Sequence, residues 1–226
     1  MKFWKILILN LFISVTYGQN SQPKKFVFKK SIVSSENGIS NLKSKTDSLI
    51  NTNYKPNGND SLINIKLKEI QMNEFLTQTP ETQIYIEIQN NYIWRHTEQK
   101  NKMIGDYLMI EKNSGILNFY NKSKSVNYKK YDLFAENYEY KIIKNRKDRK
   151  KIKGFDCYKL TLIKKDKESD LENTIYEMYV TEQIELPIHS VINLSKYFPN
   201  NFPMEIKIWE EKLSGIIEFY ELIEIE

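Results

Sequence analysis

Two histidines, His96 and His189, and a single cysteine, Cys157, are the side chains of this 226-residue chain best suited to chemistry. A zinc site would need the histidines joined by cysteines or carboxylates at recognisable spacing. The chain has no HxxxH, HExxH or CxxC arrangement. His96 follows Trp94-Arg95, which places it at a strand end, and His189 follows Pro187, so both are expected at the surface or at an edge. A catalytic thiolate needs a base beside it. Cys157 alternates with Phe155 and Lys159 and has no histidine near it in sequence, so it reads as a buried structural thiol.

The paired carboxylates Glu210-Glu211 and Glu224/Glu226 flank or alternate with apolar residues and read as the wet faces of strands. No GxSxG motif or phosphate-cradling glycine loop is present. No catalytic residue, metal site or cofactor is assigned. One dense charge feature remains, the basic run from Lys144 to Lys153. It reads as a solvated hairpin tip, with docking to anionic headgroups as the alternative.

The amino terminus carries an address. Lys2 and Lys5 precede an apolar stretch from Ile6 to Val15, and Thr16, Tyr17 and Gly18 lead into a polar run at Gln19. That order is the one expected of a cleavable secretory signal over residues 1–18. The stretch is shorter than the roughly 18 residues that a membrane span requires, so no transmembrane segment is expected in the mature chain. The chain is therefore expected to be exported, to the periplasm or cell surface. Losing Lys2 and Lys5 lowers the formal charge from +5 to +3. A surplus that small, spread among acidic residues, argues against a nucleic-acid partner. One cysteine allows no internal disulfide, and the mature length suffices for one apolar core without staples.

Behind these side chains stand mostly strands. A polar lead over residues 19–61 contains the alternating Phe26-Val27-Phe28 and, through Ile39, Leu42, Leu49 and Ile50, a loose stripe that allows one short helix or a loop. Residues 62–226 then read as a single antiparallel β domain. Strands are expected at 62–68, 84–89, 92–94, 103–110, 116–120, 138–143, 155–163, 175–180, 188–194, 204–209 and 216–225. Lys112-Asn113-Ser114-Gly115 marks the clearest hairpin turn. The fold expected is all-β: a curved antiparallel sheet or half-open barrel of about ten strands, with at most one short helix packed on it.

Two of these strands are apolar on both faces, 103–110 and 175–180. Something must then cover each face. The cover is either a second layer or helix, or an apolar ligand in a concave sheet. The ligand reading takes Met103, Tyr107 and Met109, or alternatively Ile104, Leu108 and Ile110, as one lining. Tyr176 and Met178 come from the second strand.

The segment Lys151-Ile152-Lys153-Gly154-Phe155-Asp156-Cys157-Tyr158-Lys159 resembles a strand opening of the GLPGLI family of small exported Bacteroidota proteins and of related domains of unknown function. Tyr176-Glu177-Met178-Tyr179-Val180-Thr181, Phe202-Pro203-Met204-Glu205-Ile206-Lys207 and the hairpin from Leu108 to Tyr120 are similar to further segments of that group. The resemblance spans about residues 80–225. Glu185-Leu186-Pro187-Ile188-His189-Ser190 stands where the Gly-Leu-Pro-Gly-Leu-Ile signature would fall. The resemblance implies a half-barrel like that of the lipoprotein carrier LolA, whose concave side can hold acyl chains, and it brings no catalytic residues. The function expected is binding of an apolar or lipid-like ligand, or of an envelope protein partner, in the concavity. The alternative is a structural or interaction module with a closed core.

Overall fold

The first and last described strands lie side by side. Strand β1 (Lys25–Ser34) pairs with β11 (Ile216–Ile225), and the rest of the sheet is wound outward from that pair. The computed structural model describes residues 22–53, 80–135, 138–165, 173–194 and 200–226. On one side of β1 follow β2 (Thr82–Gln89), β3 (Tyr92–Gln99), β4 (Lys102–Glu111), β5 (Ile116–Tyr120) and β6 (Asn127–Asp132). On the far side of β11 lie β10 (Phe202–Glu210), β9 (Thr174–Thr181), β8 (Phe155–Lys165) and β7 (Glu139–Ile152). The eleven strands form one antiparallel sheet in the order β6-β5-β4-β3-β2-β1-β11-β10-β9-β8-β7.

That order forces the sheet to curl. The two edges, β6 and β7, are consecutive in the chain and separated only by residues 133–138. A link of that length spans at most about 25 Å, whereas ten strand spacings laid flat would separate the edges by about 48 Å. The edges are brought towards each other without pairing, so the result is a half-open barrel with a concave face.

The concave face carries the core. Phe26, Phe28, Ile86, Ile93, Ile110, Leu117, Leu160, Met178, Phe202, Met204 and Ile206 are fully or almost fully buried. Phe26 and Phe28 meet Phe202 at centroid distances of 4.7 and 6.1 Å. Pro203, which has no N–H for the ladder, sits where the β9/β10 register slips.

Much of the cover over this face comes from a segment expected to be a strand. Residues 188–194 are not extended. Pro187 leads into a single 3₁₀ turn, Ile188–Ser190, with Val191 N–H donating to the Ile188 carbonyl at 3.1 Å. The apolar residues here fall at 184, 186, 188, 191, 192 and 194, without a steady period of two beyond Pro187, and all six are buried. The stretch 184–194 of the β9–β10 connection is thus an inner plug. Leu133 is buried with it, and Phe134 meets the His189 ring edge-on at 5.5 Å.

Helix α1 (Glu36–Asn53) occupies the lead region, longer than the short helix expected there. Ser35 caps it, accepting from the Gly38 N–H at 3.1 Å. Its described side chains are mostly exposed, with Ile39 and Leu42 half-buried, so it is the plug and not these side chains that fills the concavity. The strand expected at 62–68 and the signal at 1–18 lie outside the described residues. Strand β6 was not visible in the sequence pattern. The basic run is also a different element from the one expected. It is no hairpin tip but the body of β7, and the turn falls at Lys153-Gly154.

Candidate functional site

Above the plug the concave face stays open. A cavity of about 870 Å³ lies at the end of the half-barrel where β1 leads into the helix. Ile32, Ile84, Ile104, Leu108, Ile208, Ile216 and Trp209 form much of its wall, and Val191, Ile192 and Asn193 of the plug line it too. Its volume falls in the range typical of small-molecule sites, roughly 300–1,000 Å³.

Alternation decides which side chains reach it. Ile93 and Arg95 of β3 point inward, as do Leu108 and Ile110 of β4 and Tyr220 and Leu222 of β11. Arg95 is the anomaly. In the ladder it stands between Ile86 and Leu108, a cation in an apolar row, and it is only 7% exposed. Nη1 donates to the Val191 carbonyl at 2.9 Å, and Nη2 donates to Asn193 Oδ1. Burial lowers its pKa to about 10, with Tyr220 acting the other way, so the guanidinium stays charged at neutral pH.

The other charges of the wall are engaged locally. Lys30 Nζ meets Glu218 Oε2 at 3.1 Å, and the Tyr220 hydroxyl donates to the same oxygen at 3.0 Å. Glu210 accepts from the Thr174 hydroxyl at 3.1 Å. Lys164 Nζ lies 3.6 Å from the centroid of the Tyr138 ring. Burial raises the Tyr176 and Tyr220 phenols well above their usual range, so both stay protonated.

The five site residues read from sequence separate onto two faces. Tyr176 lines the cavity, and Met178 is buried inside the core on the same face. Met103, Tyr107 and Met109 lie on the convex side, and it is Ile104 and Leu108 of the alternative set that line the cavity. Neither strand is fully buried on both sides. In β4 only Ile110 is buried, and Ile104 is 39% exposed. On the convex side, Tyr107 is sheltered by neighbouring side chains. Tyr85 stacks on His96 at 4.8 Å, His96 meets Tyr107 at 5.1 Å, and Lys124 Nζ lies 4.4 Å from the Tyr107 centroid.

The histidines do not sit where their sequence neighbours implied. His189 is fully buried in the plug, because the segment that carries it folds inward. Burial lowers its pKa to about 4; a backbone hydrogen bond with Lys112 opposes the shift and the Arg95 charge adds to it. His96 lies in the middle of β3, half-buried, with Nε2 3.4 Å from Glu98 Oε1. Cys157 is buried, and burial pushes its pKa up to about 11, which keeps it a thiol. Among the described residues no group of three His, Cys, Asp or Glu side chains is placed to hold a metal ion, and no helix is long and apolar enough to cross a membrane.

Sequence reasoning missed Arg95. The signal was there: residues 93 and 95 share a face, and Ile93 marks it as the inner one. An arginine at an inward position of a strand is a departure from the pattern.

Fold and site together define an antiparallel half-barrel with a self-filled base and an open, cation-bearing end cavity. No family model, curated protein or solved structure matches the chain.

Proposed function

We propose that this chain is an exported, non-enzymatic protein of the cell envelope that binds an apolar or lipid-like ligand in the end cavity, in kinship with the GLPGLI-like group. The observation that carries this reading is the cavity of about 870 Å³ on the concave face, whose wall interleaves isoleucine, leucine and aromatic side chains with polar and charged ones. Apolar surface left open to water is costly, and a ligand that covers it gains roughly 0.8 kcal/mol per buried CH₂. Export is supported by the n-, h- and c-region order of the first eighteen residues.

The test is native mass spectrometry of the protein recovered from its own envelope. The expected result is a population carrying a bound mass that is released by organic solvent and identified as a lipid. A bare protein, together with failure to displace a neutral hydrophobic dye with any amphiphile, would overturn the reading. It would leave a structural or partner-binding module, which the plug favours because it already fills the base of the concavity with Ile184, Leu186 and Ile188.

A further inference from the structure

We propose that the end cavity selects an anionic amphiphile, with the carboxylate of a fatty acid held on Arg95 and its alkyl chain laid against Ile84, Leu108, Ile192 and Ile208. This deepens the ligand-binding reading and rests on it.

The argument begins with what Arg95 lacks. A guanidinium taken out of water is costly unless its charge is balanced nearby. Arg95 is placed between two apolar neighbours in the ladder, Ile86 and Leu108, and almost wholly enclosed. The partners it does have, the Val191 carbonyl and Asn193 Oδ1, are neutral. Among the described residues no carboxylate forms an ion pair with it, while Lys30 and Glu218 balance each other on the same wall. Those two partners occupy two of its five N–H groups, and Arg95 lines the cavity.

A carboxylate supplies what is missing. Its two oxygens match the planar fork of arginine, and a charge-assisted contact in a partly enclosed site is stronger than one in water. An alcohol of the same chain length offers a hydrogen bond but no charge. An amine brings a second cation beside the first. The site therefore orders these three ligands by headgroup, whereas a purely apolar hollow would rank them by chain alone.

The experiment is competition by decanoate, decanol and decylamine, each below its aggregation concentration, against a neutral fluorescent hydrophobic dye bound to the mature protein. Decanoate should bind about tenfold or more tightly than decanol, with decylamine weakest. The preference should fade as pH falls through the titration of decanoate itself. Arg95→Gln should remove the preference while leaving decanol binding in place, and Lys130→Gln, exposed on β6 and outside the cavity wall, should leave the preference intact. Equal binding of acid and alcohol by the parent protein overturns the Arg95 assignment while the apolar cavity stands. So does a preference that survives Arg95→Gln or is lost with Lys130→Gln. If Arg95→Gln does not fold, the acid-to-alcohol ratio of the parent protein and its pH dependence decide alone. If neither acid nor alcohol displaces the dye, the ligand-binding reading itself falls.

Discussion

Arg95 and His189 are two basic side chains buried close to one another, and the same surroundings leave them in opposite states. Arginine starts so far above neutrality that burial brings it only to about 10, and it stays charged. Histidine starts near 6.5 and is pushed to about 4, so it stays neutral. This has a consequence for acid stability. In the unfolded chain His189 takes up a proton near pH 6.5, but in the folded chain it does so only near pH 4. Between those values the unfolded state binds more protons, so the stability present above pH 6.5 is lost as pH falls. The loss through this residue is about 3 kcal/mol over that window. Urea unfolding at pH 7, 5.5 and 4 should show His189→Gln losing much less stability across the series than the parent does. Identical slopes would mean that His189 is not the group responsible. Neither state was visible in the sequence, where a histidine after a proline suggested an edge. What buries His189 is the whole plug, and the plug's fold depends on a concavity built by strands far from it in the chain.

At the scale of elements, the strands with one wet face were legible because their alternation is local. The hairpin between β4 and β5 was legible from its turn residues, and it closes with Gly115 N–H donating to the Glu111 carbonyl at 3.0 Å. Strand β6 was not, because Asn127, Lys129 and Lys130 are exposed at an edge and no apolar face repeats. The same logic explains β7. A sheet edge invites pairing with another chain, and charged side chains, lysine above all, discourage it. The run Lys144 to Lys153, called a hairpin tip on charge density alone, guards one edge of the sheet. Parts of it are tied back, with Arg146 Nη2 2.5 Å from Glu182 Oε1 and Lys150 Nζ 2.6 Å from Glu205 Oε2. Two glycine turns give this scale its prediction. Gly115 (φ +67°) and Gly154 (φ +87°) both adopt a backbone conformation that costs an L side chain about 1 kcal/mol or more. A methyl group at Gly115 would also come within 2.6 Å of the Phe134 ring, whereas at Gly154 it would meet open space. Gly154→Ala should therefore lose about 1 kcal/mol and Gly115→Ala about 2 kcal/mol or more. Thermal unfolding of the two variants checks the order, and equal losses would count against the Phe134 contact.

At the scale of the whole molecule, closure depends on residues at opposite ends of the chain. Lys24 and Lys25 N–H groups donate to the Glu226 carbonyl at 2.7 and 3.1 Å, and Lys25 Nζ binds Glu224, 199 residues away. Such contacts are the slowest to form, since a long loop must close before they give any return. They also define what β11 does. It pairs with β1 on one side and β10 on the other, and it brings Tyr220 and Leu222 into the core and Glu218 into the cavity wall. Without it, the run β1–β6 and the run β7–β10 would share no strand pairing and be held by the short link at 133–138 and the contacts of the plug and Phe202, each with a bare edge where the centre of the sheet should be. The apolar rows of Phe26 and Phe28 and of Met204 and Ile206 would then face water along those edges. A chain ending at Gly215 should therefore show no cooperative thermal transition and should aggregate on removal from denaturant, while Leu222→Ala in the full chain should still melt cooperatively with a loss of about 2–5 kcal/mol. Calorimetry separates the two cases. A sharp transition in the truncated chain would mean that the two halves fold as independent sheets and that the half-barrel is an assembly of them, with the cavity lying at their junction.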